Sequence, residues 1–128
     1  MKQILLSTIA LVTILNFDAV AHHSTAAAYQ LSRTEAVEGT VVQVAFREPH
    51  TYLHVVAIDR DGFTHRWSLQ WADQAALAHD GIKTSTLRPG DRVRVTGHPG
   101  RNPDAYQLLI TTITRASDGW AWERDASD

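Results

Sequence analysis

From Val37 onward the chain alternates apolar and polar positions in short runs bounded by glycine, proline and aspartate, the period-two pattern of half-buried strands. The first run is Val37–Phe46, where Gly39 predicts a bulge or sharp bend. Glu48-Pro49 ends it, because proline has no N–H for the ladder and forces the residue before it into an extended shape. Two further runs, Thr51–Arg60 and Phe63–Trp71, flank Asp61-Gly62, a signal for a two-residue hairpin turn. Such a turn pairs Arg60 with Phe63, and hence Ile58 with His65, Val56 with Trp67, His54 with Leu69 and Tyr52 with Trp71. Paired side chains share a face, so Tyr52, His54, Val56 and Ile58 with Phe63, His65, Trp67, Leu69 and Trp71 are predicted to form the inside of the hairpin, with His54 and His65 as hydrogen-bonded core histidines. The other face of the third run, Thr64, Arg66, Ser68 and Gln70, is polar.

Asp73 is placed to cap a short helix, Gln74–Asp80, that stops at Gly81. Leu87-Arg88-Pro89-Gly90-Asp91 predicts a tight turn into a fourth strand, Arg92–Gly97. After a loop from Pro99 to Asp104, a fifth strand, Ala105–Arg115, presents Tyr106, Leu108 and Ile110 on one side. Trp120 and Trp122 form a last short strand or pack over one end of the sheet. Three strands, a helix and two strands is the order of an OB-fold barrel. The fold predicted is therefore all-β with one short helix, an OB-fold-like five-stranded barrel, with an SH3-like barrel or an open sandwich as alternatives.

The segment before the strands reads differently. Lys2 and the terminal amine precede Ile4–Leu15, twelve largely apolar residues, too short for a span of about 20 and suited to a signal peptide. Ala19-Val20-Ala21 is a small-x-small cleavage site. The alternatives are an uncleaved anchor or a buried helix. The expected organisation is a signal peptide over 1–21, an N-terminal arm over 22–36 and the barrel over 37–128, in a periplasmic or secreted protein with no membrane span after cleavage. Within the arm, Ala26–Arg33 reads equally as a helical turn or an extended stretch.

With no cysteine among its 128 residues, the chain has no disulfide, thiolate metal site, Fe–S cluster or cysteine nucleophile. Without Lys2 and Asp18 the mature chain carries 11 basic and 13 acidic side chains, net −2. A near-neutral surface argues against nucleic acid as a partner. There is no Gly-x-Ser-x-Gly elbow, Gly-rich phosphate loop or His-Glu-x-x-His helix, so no enzyme activity is expected.

Cleavage after Ala21 would leave His22-His23-Ser24 at the terminus. A terminal histidine offers its α-amine and imidazole as a chelating pair, and His23 adds a second ring. Nitrogen donors of this kind suit Cu(II), Ni(II) and Zn(II), copper most tightly. His50, just past a rigid proline, is positioned to point from the barrel rim. The arm from Ser24 to Ala36 spans 13 residues, up to ~43 Å when extended, which reaches that rim.

Ala21-His22-His23-Ser24, Gly39-Thr40-Val41, Phe46-Arg47-Glu48-Pro49-His50 and Leu87-Arg88-Pro89-Gly90-Asp91-Arg92-Val93-Arg94-Val95-Thr96-Gly97-His98-Pro99 together resemble a family of small exported bacterial proteins of unknown function. The resemblance covers essentially the whole mature chain and implies an exported β-barrel, with no established activity to carry over. Phe46 and Glu48 stand where family members tend to have tryptophan and asparagine, Thr25 where an aromatic residue is usual, and Gln70 where a glutamate is frequent. His22, His23 and His50 match position by position.

The function expected is an exported, non-enzymatic binding module that holds a transition metal, copper favoured, through His22, His23 and His50. Glu48 and Gln70 are the candidate outer-shell partners. The competing expectation is a metal-free adaptor for a small ligand or protein, presenting Trp120 and Trp122.

Overall fold

The computed structural model describes residues 24–125. Strand β1, Glu35–Ala45, is shared between two neighbours: its first half pairs with β4 (Arg92–Pro99) and its second half with β2 (Tyr52–Ile58), both antiparallel. Gly39 sits where the strand passes from one to the other, and a Cβ there would press on the Val56 carbonyl, so the bend needs glycine. The bulge itself falls two residues later, where register shifts between Val41 and Gln43. β2 continues into β3 (Thr64–Gln70), β4 pairs with β5 (Gln107–Arg115), and β5 runs parallel to the end of β3. That last pairing closes a five-stranded barrel, the predicted OB-type architecture.

The β2–β3 turn departs from expectation. The Asp59 N–H donates to the Phe63 carbonyl at 2.9 Å, and Gly62 N–H returns to the Asp59 carbonyl at 3.1 Å. Three residues therefore separate the closing pair, with Gly62 at φ 85° supplying the left-handed position of a three-residue hairpin loop. The Asp59 carboxylate stabilises this longer loop by accepting from the Asp61 and Phe63 amides, each at 2.9 Å. Register slips by one, to Leu53↔Leu69, Val55↔Trp67 and Ala57↔His65, and a one-residue slip turns a strand over. Leu53, Val55 and Ala57 are buried, while Tyr52, His54 and Val56 point outward and Ile58 is 71% exposed. β3 keeps its predicted face, with Leu69 and Trp71 buried and Trp67 packed against the core, although Phe63 at the turn is 66% exposed.

Between β3 and β4 lies a short α-helix, α1 (Gln74–His79), whose N-cap Asp73 side chain accepts from the Ala76 amide at 2.8 Å. It seats Leu77 in the core beside Leu53, Leu69, Leu108, Ile110 and Ile113. A short strand beyond the predicted five, β6 (Ala121–Glu123), pairs with Thr112–Thr114 of β5. Among the described residues no helix is long and apolar enough to cross a membrane.

Candidate functional site

The N-terminal arm is bound to one end of the barrel. Residues 24–28 are helical, and Tyr29 makes an isolated bridge with Gly100. Gln30 N–H donates to the Pro99 carbonyl at 2.9 Å, and the Arg101 guanidinium reaches back to the Ala26 carbonyl at 2.9 Å. The Tyr29 hydroxyl donates to Oε1 of buried Gln70 at 2.9 Å. Burial, with the neighbouring Tyr52 phenol second, pushes the Tyr29 pKa up to about 12. Further along the arm, His98 Nδ1 donates to the Arg33 carbonyl at 2.7 Å.

Gln70 faces Tyr52 across the β2–β3 ladder, and Tyr52 is two residues from His50. The fastened end of the arm is thus close to the loop that carries His50, which is half-buried, and Glu48, which is exposed. Thr51 N–H donates to Ala72 and its carbonyl accepts from Trp71, so His50 follows directly from the barrel wall. His22 and His23 lie outside the described residues. Among the described residues no three His, Asp or Glu side chains converge as a metal site. Gln70 is engaged by Tyr29, so its predicted outer-shell role is replaced by that of an anchor for the arm.

The tryptophans expected to form a partner face do not make one. Trp122 is buried in the core, edge-on to Trp71 at 5.5 Å, with its indole N–H donating to Asp80 at 2.8 Å. Trp120 is half-buried against the core with the Arg115 guanidinium over its ring.

A different face emerges on the outside of β2 and β3, and the slipped register creates it. Tyr52 and His54 point outward with their rings 6.4 Å apart and 14° from parallel. Arg66 stands beside them, held by Gln43 of β1 at 3.0 Å. The His54 pKa is lowered, first by burial and then by the charges of Arg66 and Arg47. Neither β2 nor β3 contains a carboxylate. Glu38 pairs with Arg94, Asp91 and Asp118 with Arg115, and Asp59 with its own turn and His65, while Glu48 is exposed in the loop next to Arg47. Sequence reasoning missed this face because it assumed the shorter turn; Asp59 two residues before Asp61-Gly62 was the available signal.

With this geometry in view, comparison with known proteins places the chain. The family of unknown function DUF6152 matches residues 10–109. This chain belongs to that family. The match includes the Ala21-His22-His23-Ser24 segment and His50. No functionally curated protein matches the chain. Among solved structures, it is similar to the mitochondrial single-stranded DNA binding protein Rim1 of S. cerevisiae, at 15% identity and a TM-score of 0.50 over 66% of this chain and 93% of that one. It is also similar to a small single-stranded DNA-binding protein from Streptomyces coelicolor, at 20% identity and a TM-score of 0.43 over 75% of this chain and 95% of that one. At such identity the likeness to Rim1 shows the OB fold.

The same likeness corrects one expectation. Nucleic acid was excluded on net charge, yet a protein of this fold binds single-stranded DNA. Net charge averages over the whole surface, whereas binding depends on the field at one face.

Proposed function

We propose that this DUF6152 protein is an exported OB-barrel binding module. Its mature N-terminus, released after Ala21, holds a transition metal ion together with His50, copper by preference. The fastening of Tyr29 to Gln70 carries this reading. It fixes the chain seven residues after His22, at the barrel end from which the His50 loop departs. Residues 24–28 are helical, so the segment spans only ~15 Å, which keeps the terminal amine and the two leading imidazoles near that end of the barrel. The donor set is entirely nitrogen, which suits Cu(II). Exposed Glu48, two residues before His50 in sequence, can accept an imidazole N–H.

The test is the exported protein purified with its native terminus, its first residue established by mass spectrometry. Cu(II) affinity is then measured beside His22→Ala and His50→Ala. Each variant should bind more weakly by more than the ~10-fold typical of losing an outer-shell partner. Equal affinity in all three proteins removes the metal reading.

A second reading, single-stranded nucleic acid, is favoured by the carboxylate-free outward face of β2 and β3, on a fold that Rim1 shares. Titration of a labelled single-stranded oligonucleotide at several salt concentrations tests it, since neutralised phosphates make affinity fall with salt.

A further inference from the structure

We infer that the outward face of β2 and β3, extended by Arg47, is a binding surface for single-stranded nucleic acid, with Tyr52 and His54 as stacking platforms and Arg47 and Arg66 as phosphate contacts. The inference rests on the second reading above and assigns its site.

The two rings lie on one side of β2 because they are two residues apart, and the ladder turns that side to solvent. Their planes are 14° from parallel, with centroids 6.4 Å apart. A single strand can turn its unstacked bases onto near-parallel rings of this kind, whereas the bases of a duplex stay paired and stacked. Every base has a π-face, so such a platform is tolerant of sequence.

The charges complement this ligand. Arg66 is exposed, and its bond to Gln43 of β1 holds the side chain across β2 beside His54, whose strand partners are Gln43 and Ser68. Arg47 is exposed in the loop after β1, and its charge, like that of Arg66, lowers the His54 pKa. No carboxylate on either strand opposes them. At one end of the row Tyr29 and Gln70 are bonded to each other, which leaves Tyr52 as the terminal platform.

The experiment is fluorescence anisotropy of an end-labelled oligothymidylate about 15 nucleotides long, within the site sizes of OB folds. It uses the full mature protein and the variants Tyr52→Ala, Tyr52→Phe and Arg66→Gln, each checked for folding by circular dichroism. Tyr52→Ala should weaken binding about tenfold, and Tyr52→Phe should restore it, because the stacking ring is kept. Arg66→Gln should flatten the log–log salt slope by about 0.7, one phosphate contact on a single strand. If the wild-type protein binds and Tyr52→Ala binds equally well, the face is wrong and the nucleic-acid reading survives. If the wild-type protein binds no oligonucleotide even at low salt, reading and face fall together.

Discussion

The Tyr29 hydroxyl donates to Oε1 of Gln70 at 2.9 Å across 41 residues of sequence, and this bond seals the arm to the barrel end. Tyr29→Phe leaves a buried amide oxygen without its donor, at a cost of about 1–2 kcal/mol in urea unfolding. The arm should also become more susceptible to proteolysis. The wild-type bond has a pH signature. The phenol ionises near 10 in the unfolded chain and about 12 in the folded one. Stability from Tyr29 is therefore complete below pH 10 and is lost as pH rises toward 12. A phenolate absorbance titration in which all three tyrosines ionise near pH 10 would show that Tyr29 is not enclosed.

Much of the barrel is legible in the sequence because its determinants are local. Asp73 caps α1 as its position predicts, and the β strands fall where short apolar runs alternate. The turned-over β2 was not legible from alternation, since Tyr52-Leu53-His54-Val55-Val56-Ala57-Ile58 has credible inward residues on both faces. Only the loop decides between them, and the Asp59 side chain selects the three-residue form. Trp122 was ambiguous for a different reason: its burial depends on Trp71 and Asp80, both more than 40 residues away. The candidate metal residue His50 could be placed at a rim from Pro49 alone, whereas the Tyr29–Gln70 bond that brings the arm near it is a long-range contact with no sequence signature.

Gly97 tests the closure of the barrel. Register between β4 and β5 shifts at Thr96/Gly97, leaving Thr111 as the extra residue on β5. A Cβ at position 97 would overlap the Leu109 carbonyl and crowd Ile110 Cα, both of them backbone. Since the strands would have to separate, Gly97→Ala should cost about 3 kcal/mol, read as a lower urea midpoint. A neutral result would place the closest approach of the two strands elsewhere.

Trp122 joins β6 to the rest of the molecule. Its ring packs edge-on against Trp71, and its N–H donates to Asp80, which caps the C-terminal end of α1. Trp122→Ala should destabilise by about 3–5 kcal/mol as a buried aromatic. Asp80→Ala, which leaves the indole N–H without an acceptor, should cost about 1–2 kcal/mol. Both values come from chemical denaturation. A stable Trp122→Ala protein would return that side chain to the surface role expected from sequence.

His54 supplies the acid-side prediction. It is flanked by Arg66 from β3, Arg47 from the loop after β1 and the Tyr52 ring on its own strand. Burial is the largest influence lowering its pKa, the two guanidiniums follow, and a hydrogen bond with the Trp67 backbone opposes them. The unfolded chain thus takes up a proton near pH 6.5 before the folded chain does. Stability is accordingly full above that pH and declines as pH falls through 6.5 toward the lower folded value. His54→Gln, which cannot titrate, should have a flatter urea midpoint between pH 7.5 and 5.5 than the wild-type protein, a range that brackets the ordinary histidine pKa of about 6.5. Phosphates seated beside Arg47 and Arg66 reverse the sign for binding, because they favour the imidazolium: oligonucleotide affinity should rise over the same interval in the wild-type protein and stay level in His54→Gln. Parallel midpoint curves for the two proteins would mean that the imidazole is solvated and feels neither guanidinium.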